Sequence, residues 1–586
     1  MSKPITLLLS LIWLLGTALG TPALSAQLPD AIWPGQLAFD QAGTVVELVG
    51  DCDADGVPDV AIGAPHADQQ ITFPITFTLD DVGHVQVRSG ATGAVLFNLW
   101  GTVAGDEFGY ALGDAGDIDL DGHDDLLIGV PRATFNKDHQ GKVQIRSGAT
   151  GVLLRTNWGP QAEDRFGHSV SGHANALSSN PAGYYAVGAP LYDRDDATGG
   201  YGQEGMVRVF RGDTGATEHN YYGGTHGGAQ CSCQSSDYEI KAKHFGWAVD
   251  YVDDVLAIGA PLSDRLNTVT GELQTSTGFV SMLRPEAFFL NDRLRYWGAP
   301  GARAGTALAS LGYRVAIGSP GTVGDGRVEV YGLSFEAPAA DLTHNFSVTG
   351  TPQRRIGEVL AFVGDADGAG FSDLALGSPD APSGFPFGTP GVGALSIVSG
   401  ADGAPLVEYL GTSANDFLGS AVAGADFDGD GFADLVVGVP GEDGPAGIDT
   451  GAAWYHDGNP CPAAAVQYGT GHPGTNGTPQ WSYHSRPVLG ATFELGLTNS
   501  LGAPTQAWFF AGFAPASFPL EGGTLLVDIF LVVTIPMGSG TLPLDPELPD
   551  DPSLCGVSLF LQGVVIDPGA SHGAAFSRGL EMRFGY

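Results

Sequence analysis

The amino-acid sequence predicts an all-β fold, a seven-bladed β-propeller followed by a small β-sandwich. Three observations lead to this prediction. A short hydrophobic motif recurs seven times at a near-constant interval, and a strand of alternating polar and apolar residues follows it in the repeat. The chain of 586 residues also contains 89 glycines and 38 prolines, which are frequent enough to separate many short strands.

The recurring motif is a hydrophobic strand that ends in Gly-Ala-Pro or a close relative, as in VAIGAP. Successive motif glycines lie 59 to 71 residues apart. They are Gly63, Gly129, Gly188, Gly259, Gly318, Gly377 and Gly438. A repeat of this length, with strand and turn signals inside it, is typical of propeller blades.

Each repeat continues with an alternating strand, such as GHVQVRSG from Gly83, and a turn that leads into a fourth strand ending near Trp100. The last repeat stops after its third strand, near His456. We expect the extended segment Ala31–Phe39 to complete that blade, because pairing the two ends removes a free sheet edge.

Upstream of each motif glycine, the sequence carries a Phe-Gly pair or a weaker copy of it. The full pairs are Phe108-Gly109, Phe166-Gly167 and Phe245-Gly246, and the weaker copies are Ala304-Gly305, Ile356-Gly357 and Leu418-Gly419. Together the two motifs resemble the FG-GAP repeats of integrin α-subunit propellers, over residues 31–458. The resemblance implies a binding and adhesion module whose variable loops lie opposite its metal loops.

Repeats one, two and seven each contain a loop of the form D-x-D-x-D-G-x-x-D. Carboxylates at alternating positions of a tight loop can converge on one calcium ion, with a backbone carbonyl from position seven. The predicted ligands are Asp51, Asp53, Asp55, Asp59 and the carbonyl of Val57; Asp117, Asp119, Asp121, Asp125 and the carbonyl of His123; and Asp426, Asp428, Asp430, Asp434 and the carbonyl of Phe432. The alternative is that these side chains only cap their own turns.

Repeat six carries a weaker copy of the acidic loop, with Asp365, Asp367 and Asp373 but Ala369 in place of the third carboxylate. We therefore predict three calcium sites and a fourth, weaker one. Repeats four and five shorten the same connection and lose the loop. We assign calcium a structural role, because no open coordination position with a neighbouring base is evident in the sequence.

The formal net charge of −40 argues against nucleic acid and anionic membranes as partners. Residues 1–26 read as a secretory signal peptide, and no later apolar run of about 20 residues predicts a membrane span. We expect a secreted or cell-surface monomer. Cys461 and Cys555 could pair, whereas Cys231 and Cys233 are too close in sequence for an unstrained bridge.

Residues 461–586 form a separate region that we expect to be the β-sandwich. Its Gly569–Gly573 segment matches G-x-S-x-G, but it precedes a strand and not the helix of a nucleophile elbow. With no catalytic motif found, we predict a binding protein for an extracellular protein or glycan, with its site on the insertion Tyr221–Lys243. The alternative is an extracellular hydrolase of glycans or phosphoesters with a site on the variable-loop face.

Overall fold

The computed structural model describes most of the chain in detail. The described ranges are 29–72, 76–173, 182–193, 203–223, 238–252, 255–267, 270–284, 293–321, 325–334, 341–351, 354–367, 369–382, 389–458, 464–483, 487, 492–520, 522–546, 548 and 557–584. Regular structure in these ranges is β-strand only, so the all-β prediction is confirmed. The chain divides into two compact units between Gly458 and Asn459.

In its described residues the first unit contains seven four-stranded antiparallel sheets, called blades here and numbered by their sequence repeat. In each blade the strands lie side by side in the order one to four. Blades one to three consist of Val45–Leu48, Val60–Ala64, His84–Arg88 and Val95–Trp100; Ala111–Gly116, Asp125–Val130, Lys142–Arg146 and Leu153–Trp158; and Ser169–His173, Tyr184–Ala189, Met206–Arg211 and Thr217–Tyr222.

Blades four to seven follow the same plan. They consist of Val249–Val252, Val255–Ala260, Phe279–Leu283 and Arg293–Trp297; Leu308–Leu311, Arg314–Ser319, Arg327–Ser334 and Asp341–Thr349; Val359–Gly364, Asp373–Ser378, Ala394–Val398 and Pro405–Leu410; and Val422–Ala425, Asp434–Val439, Ala452–His456 and Ala31–Pro34. The first strand of each blade contacts the first strand of the next, and blade seven contacts blade one. The first strands therefore form a closed ring.

Ring closure uses the N-terminal segment, as the sequence predicts. Ala31 pairs with Tyr455 and Pro34 with Ala452. The predicted extent, Ala31–Phe39, is too long because the strand ends at Pro34. After the strand, the carboxylate of Asp40 accepts the amide hydrogens of Gln36 (3.1 Å) and Leu37 (2.7 Å), which closes a turn.

The two recurring motifs are joined by a backbone hydrogen bond in blades one to five and in blade seven. The amide of Gly109 donates to the carbonyl of Gly129 (3.2 Å), and Gly167 donates to Gly188 (3.0 Å). The motif strand is the second strand and is buried on both faces, which explains its continuous hydrophobic sequence. Phe108, 1% exposed, packs between blades one and two, so the Phe-Gly pair also joins neighbouring blades.

Three short strands form a separate sheet beside blade four, and two form a hairpin beside blade one. They are Tyr238–Lys241, Asp264–Asn267 and Leu273–Gln274, and Gln69–Thr72 and Thr76–Leu79. Most of the predicted insertion site, residues 224–237, lies outside the described residues, as do the signal segment 1–26 and Cys231, Cys233, Cys461 and Cys555.

The second unit is built on one larger antiparallel sheet. Its strands, in spatial order, are Ala464–Tyr468, Gly579–Arg583, Ser558–Ile566, Thr505–Gly512 and Leu531–Met537, with Ala574–Phe576 beside Ser558–Ile566. One face packs against the three-stranded sheet Trp481–Tyr483, Leu495–Leu497 and Leu542–Pro543, and the other against the hairpin Pro515–Leu520 and Gly523–Val527. The G-x-S-x-G segment joins two strands, as the sequence predicts.

Candidate metal centres

Among the residues that the structure describes, four clusters of aspartates lie at one face of the ring, where the first strand of a blade turns into the second. In each cluster three carboxylates offer one oxygen apiece, and these oxygens lie within 4.8 Å of one another. The clusters are Asp51, Asp53 and Asp59; Asp117, Asp119 and Asp125; Asp365, Asp367 and Asp373; and Asp426, Asp428 and Asp434. They occupy positions one, three and nine of the predicted loops.

The position-nine aspartate anchors each loop to the rest of its blade. Asp59 has no exposed surface, and its two carboxylate oxygens accept the amide hydrogens of Cys52 (2.8 Å) and Gly90 (2.9 Å). Asp125 makes the equivalent bonds to Ile118 (2.9 Å) and Gly148 (3.0 Å). A loop residue and the turn after the third strand are thus tied to one buried carboxylate.

The position-one aspartate shapes the loop itself. The carboxylate of Asp51 accepts the amide hydrogens of Asp55 (3.0 Å) and Gly56 (2.9 Å). Gly56 has φ near 93°, a left-handed conformation that glycine adopts without strain. Side-chain capping, the alternative interpretation of these loops, therefore occurs, and it also brings the carboxylate of Asp51 toward those of Asp53 and Asp59.

The position-five aspartate, which the sequence predicts as a ligand, caps the turn of its own loop. The carboxylates of Asp55, Asp121 and Asp430 are not members of the converging clusters. Each accepts the amide hydrogen of the position-seven residue, at 2.9 Å from Val57, 3.1 Å from His123 and 2.9 Å from Phe432. In blade six, where Ala369 offers no carboxylate at position five, the carboxylates of Asp365, Asp367 and Asp373 still lie together.

The charge in these clusters is not balanced by nearby cations. Among the described residues, no lysine or arginine forms an ion pair with the clustered carboxylates. Burial raises the pKa of Asp59, Asp125 and Asp434 to about 6. One oxygen of Asp53 is buried without a hydrogen-bond donor. A buried carboxylate oxygen without a donor, in a cluster of carboxylates without a counter-charge, fits a hard divalent cation.

Comparison with known proteins agrees with this geometry. The FG-GAP repeat family matches residues 108–145 and 418–456, and each match contains one acidic loop. Integrin alpha-PS2 of Drosophila melanogaster is 34% identical over 179 residues, which are 28% of this chain and 11% of the relative. Integrin alpha-5 of Xenopus laevis is 29% identical over 180 residues, 29% of this chain and 15% of the relative.

The chain therefore carries FG-GAP repeats and is similar in sequence to integrin α subunits. A third relative, integrin alpha-8 of Mus musculus, is 33% identical over 142 residues, 22% of this chain and 13% of that protein. The matches therefore span only about a tenth to a seventh of the relatives' length. FG-GAP repeats imply a β-propeller, so the propeller prediction is confirmed.

The FG-GAP repeats also place a group of aromatic rings that sequence reasoning did not predict. The residue after Phe-Gly lies at the start of the first strand and is Tyr110, His168 and Trp247 in blades two, three and four. Ring centroids lie 5.2 Å apart for Tyr110 and His168 and 4.6 Å apart for His168 and Trp247. His244 stacks on Trp247 at 5.7 Å. We call these four rings the aromatic array.

The aromatic array and the acidic loops lie on opposite faces of the ring. First strands begin at the array and run to the acidic-loop face, while second strands run back, as in the pairing of Ser169 with Gly188. Burial lowers the pKa of His168 to about 4, so this imidazole is neutral at physiological pH. In the sequence, the array could have been recognised from the aromatic or histidine residue that directly follows each of the three full Phe-Gly pairs.

Within the described ranges, no helix has the length and hydropathy that a membrane span requires.

Proposed function

We propose that this protein is a secreted, calcium-binding FG-GAP propeller that captures an extracellular protein or glycan through the face opposite its acidic loops. The observation that carries the proposal is the aromatic array of Tyr110, His168, Trp247 and His244, which crosses three blades on that face. Rigid aromatic side chains supply contact area at a small entropic cost and are enriched at binding hot spots. The integrin relatives are consistent with a ligand-binding propeller.

The same face carries the loops that vary most between repeats. From the motif glycine to the third-strand glycine, the connection ranges from 8 residues, Gly318 to Gly326, to 20 residues, Gly63 to Gly83. Variable loops on a rigid scaffold are common binding surfaces. The insertion Tyr221–Lys243 enters blade four at this face and remains our proposed specificity loop.

Calcium is the cation that we propose for the acidic loops, with sites in blades one, two and seven and a weaker fourth site in blade six. Hard oxygen ligands and extracellular-type affinity, of order 0.1 to 1 mM, suit a structural role outside the cell. We also propose residues 1–26 as a signal peptide, residues 31–458 as the propeller, residues 461–586 as the second domain, and a monomer. The small β-sandwich likewise stays a proposal.

The binding proposal is tested with the full chain on protein and glycan arrays at millimolar calcium. Trp247→Ala should weaken capture of the best ligand about tenfold or more, because hot-spot aromatics contribute that much. Phe513→Ala, which removes a 40% exposed aromatic ring from the second unit, is the matched control and should bind normally. Equal capture by both variants, with unchanged melting, would place the ligand elsewhere.

One observation favours the hydrolase alternative. Asp114 and Asp250 lie on first strands, at the centre of the ring, and loss of hydration raises the pKa of each to about 7. A protonated and an ionised carboxyl group are what acid-base hydrolysis uses. Asp250 is already bonded to the hydroxyls of Ser310 (2.5 Å) and Ser171 (3.4 Å), which favours a structural role. Turnover of a glycoside or phosphoester that Asp250→Asn abolishes would establish the enzyme.

A further inference from the structure

The acidic loops of blades one and two are bonded directly to each other through Asp124. This residue donates its amide hydrogen to the carbonyl of Asp51 (3.1 Å). Its carboxylate accepts the amide hydrogen of the same Asp51 (2.9 Å). Both polar backbone atoms of Asp51, the first proposed ligand of loop one, are thus held by a residue of loop two.

A second bond joins the same two loops. Nδ1 of His123 lies 2.7 Å from the carbonyl oxygen of Cys52, which can only accept, so the imidazole donates. Asp124 lies between His123 and Asp125, the position-seven and position-nine ligands proposed for loop two. The segment that would hold the second cation therefore also positions the start of the loop that would hold the first.

The other neighbouring loops show which part of this link is general. In blades six and seven, Ala433 occupies the place of Asp124 and donates its amide hydrogen to the carbonyl of Asp365 (3.1 Å). Alanine has no carboxylate to return the bond. Between blades seven and one the equivalent residue is Pro58, which has no amide hydrogen to donate. The loops thus fall into two linked pairs, with a break at Pro58.

We propose that the cation sites fill as two coupled pairs, and that Asp124 is the positioning residue that couples sites one and two most strongly. The proposal rests on the calcium binding proposed above. A cation in loop two fixes His123 and Asp125, which fixes Asp124 and so orders Asp51 before the first cation binds. The second binding event then orders fewer groups, which makes the two events positively cooperative.

Calorimetric calcium titrations of the full chain test this coupling. Asp367→Ala and Asp428→Ala first disable the proposed calcium sites of loops six and seven, so that calcium binding to loops one and two is measured alone. In this background, disabling loop two with Asp119→Ala should weaken loop one about fivefold or more, the lower range of coupling between sites. With Asp124→Ala added, the affinity of loop one should depend on loop two less strongly, because only the backbone amide of residue 124 and the imidazole of His123 still link the loops.

Asp124→Asn separates positioning from charge. The asparagine oxygen can still accept the Asp51 amide hydrogen, so coupling should persist if the bond carries it. A coupling that falls as much in Asp124→Asn as in Asp124→Ala would overturn the positioning role. Disabling loop seven with Asp428→Ala should leave the affinity of loop one unchanged, because Pro58 breaks that link.

Ala433→Asp adds to loop seven the carboxylate that Asp124 provides in loop two. This variant tests the proposal independently if Asp124→Ala does not fold. It should make loop six depend on loop seven more strongly than in the wild type, and an unchanged dependence would contradict the proposal. The proposal would also be overturned if, with Asp124 in place, the calcium affinity of loop one were the same whether loop two is intact or disabled. Absence of any calcium uptake would instead remove the proposed function.

Discussion

The two halves of the ring differ in how the first strand of a blade connects to the second. Blades six, seven, one and two use an acidic loop that closes around a buried aspartate, such as Asp59. Blades four and five use tight hairpins, in which Val252 pairs with Val255 and Leu311 with Arg314. The corresponding connection of blade three, residues 174–181, lies outside the described residues.

This difference separates two ways of stabilising the same blade. A tight hairpin needs few residues to be ordered and no ion. An acidic loop concentrates carboxylates that repel one another and are partly dehydrated, so it is stable only where a cation or protons compensate. The half without acidic loops also carries three of the four rings of the aromatic array. We infer that cation dependence is confined to one half and that the other half retains its structure without calcium.

The largest expected effect is that of calcium withdrawal. At about 5 mM calcium, each site of the proposed affinity adds about 1 to 2 kcal/mol to the free energy of unfolding, or about 4 to 8 kcal/mol for four sites. Hydrogen exchange in a chelator should rise in residues 51–59, 117–125 and 426–434 and stay unchanged in the hairpins of blades four and five. Equal melting temperatures with and without calcium would refute the calcium assignment.

The next effect compares two buried phenylalanines, one in each half. Phe108 shares a core cluster with Cys52 of loop one, whereas Phe245 packs between blades three and four. Either Phe→Ala substitution should cost about 3 to 5 kcal/mol of unfolding free energy, because each removes a fully buried ring. Only Phe108→Ala should also reduce the rise in melting temperature that calcium produces. The same calcium response in both variants would remove the distinction between the halves.

The sequence allowed the blade pattern to be predicted because the signals are local. A hydrophobic strand with its glycine and a D-x-D-x-D-G-x-x-D loop each fit within ten residues, so their spacing identifies blades and carboxylate clusters directly. The bond between Asp51 and Asp124 joins residues 73 apart, and Tyr110 and His168 are 58 apart. Such contacts depend on how blades pack in the closed ring, which no local pattern encodes.

Within each acidic loop, too, the sequence pattern does not show how the side chains are arranged. The repeated aspartates predicted four carboxylate ligands per full loop, and the structure groups positions one, three and nine. Position five instead caps the turn at the amide of position seven, as Asp55 does for Val57. The sequence pattern does not distinguish an aspartate that faces the cluster from one that bonds its own backbone, because both occupy the same tight turn.

The smallest expected effect concerns pH and the centre of the ring, away from both features compared above. Loss of hydration raises the pKa of Asp250 to about 7 from 3.8, so the folded protein holds a proton that the unfolded chain releases. Stability should therefore fall as pH rises from about 4 to 7 and stay lower above that. In chelator, Asp250→Asn should reduce this fall by about 1 kcal/mol or more, because asparagine does not titrate and one pKa unit corresponds to about 1.4 kcal/mol.

Ser310→Ala is the matched control for this pH effect, with the opposite expected sign. The Ser310 hydroxyl donates to Asp250 and lowers its pKa, so removing the hydroxyl should raise the pKa further and steepen the fall of stability with pH.

Two other carboxyl groups, Glu47 and Asp114, titrate in the same pH range. Loss of hydration and then the charge of Asp250 raise the pKa of Glu47 to about 8, and loss of hydration raises that of Asp114 to about 7. Some pH dependence will therefore remain in Asp250→Asn. Melting temperatures are compared at pH 5 and pH 8. If the change in melting temperature between these two pH values is the same in the wild type and in both variants, Asp250 does not hold the proton.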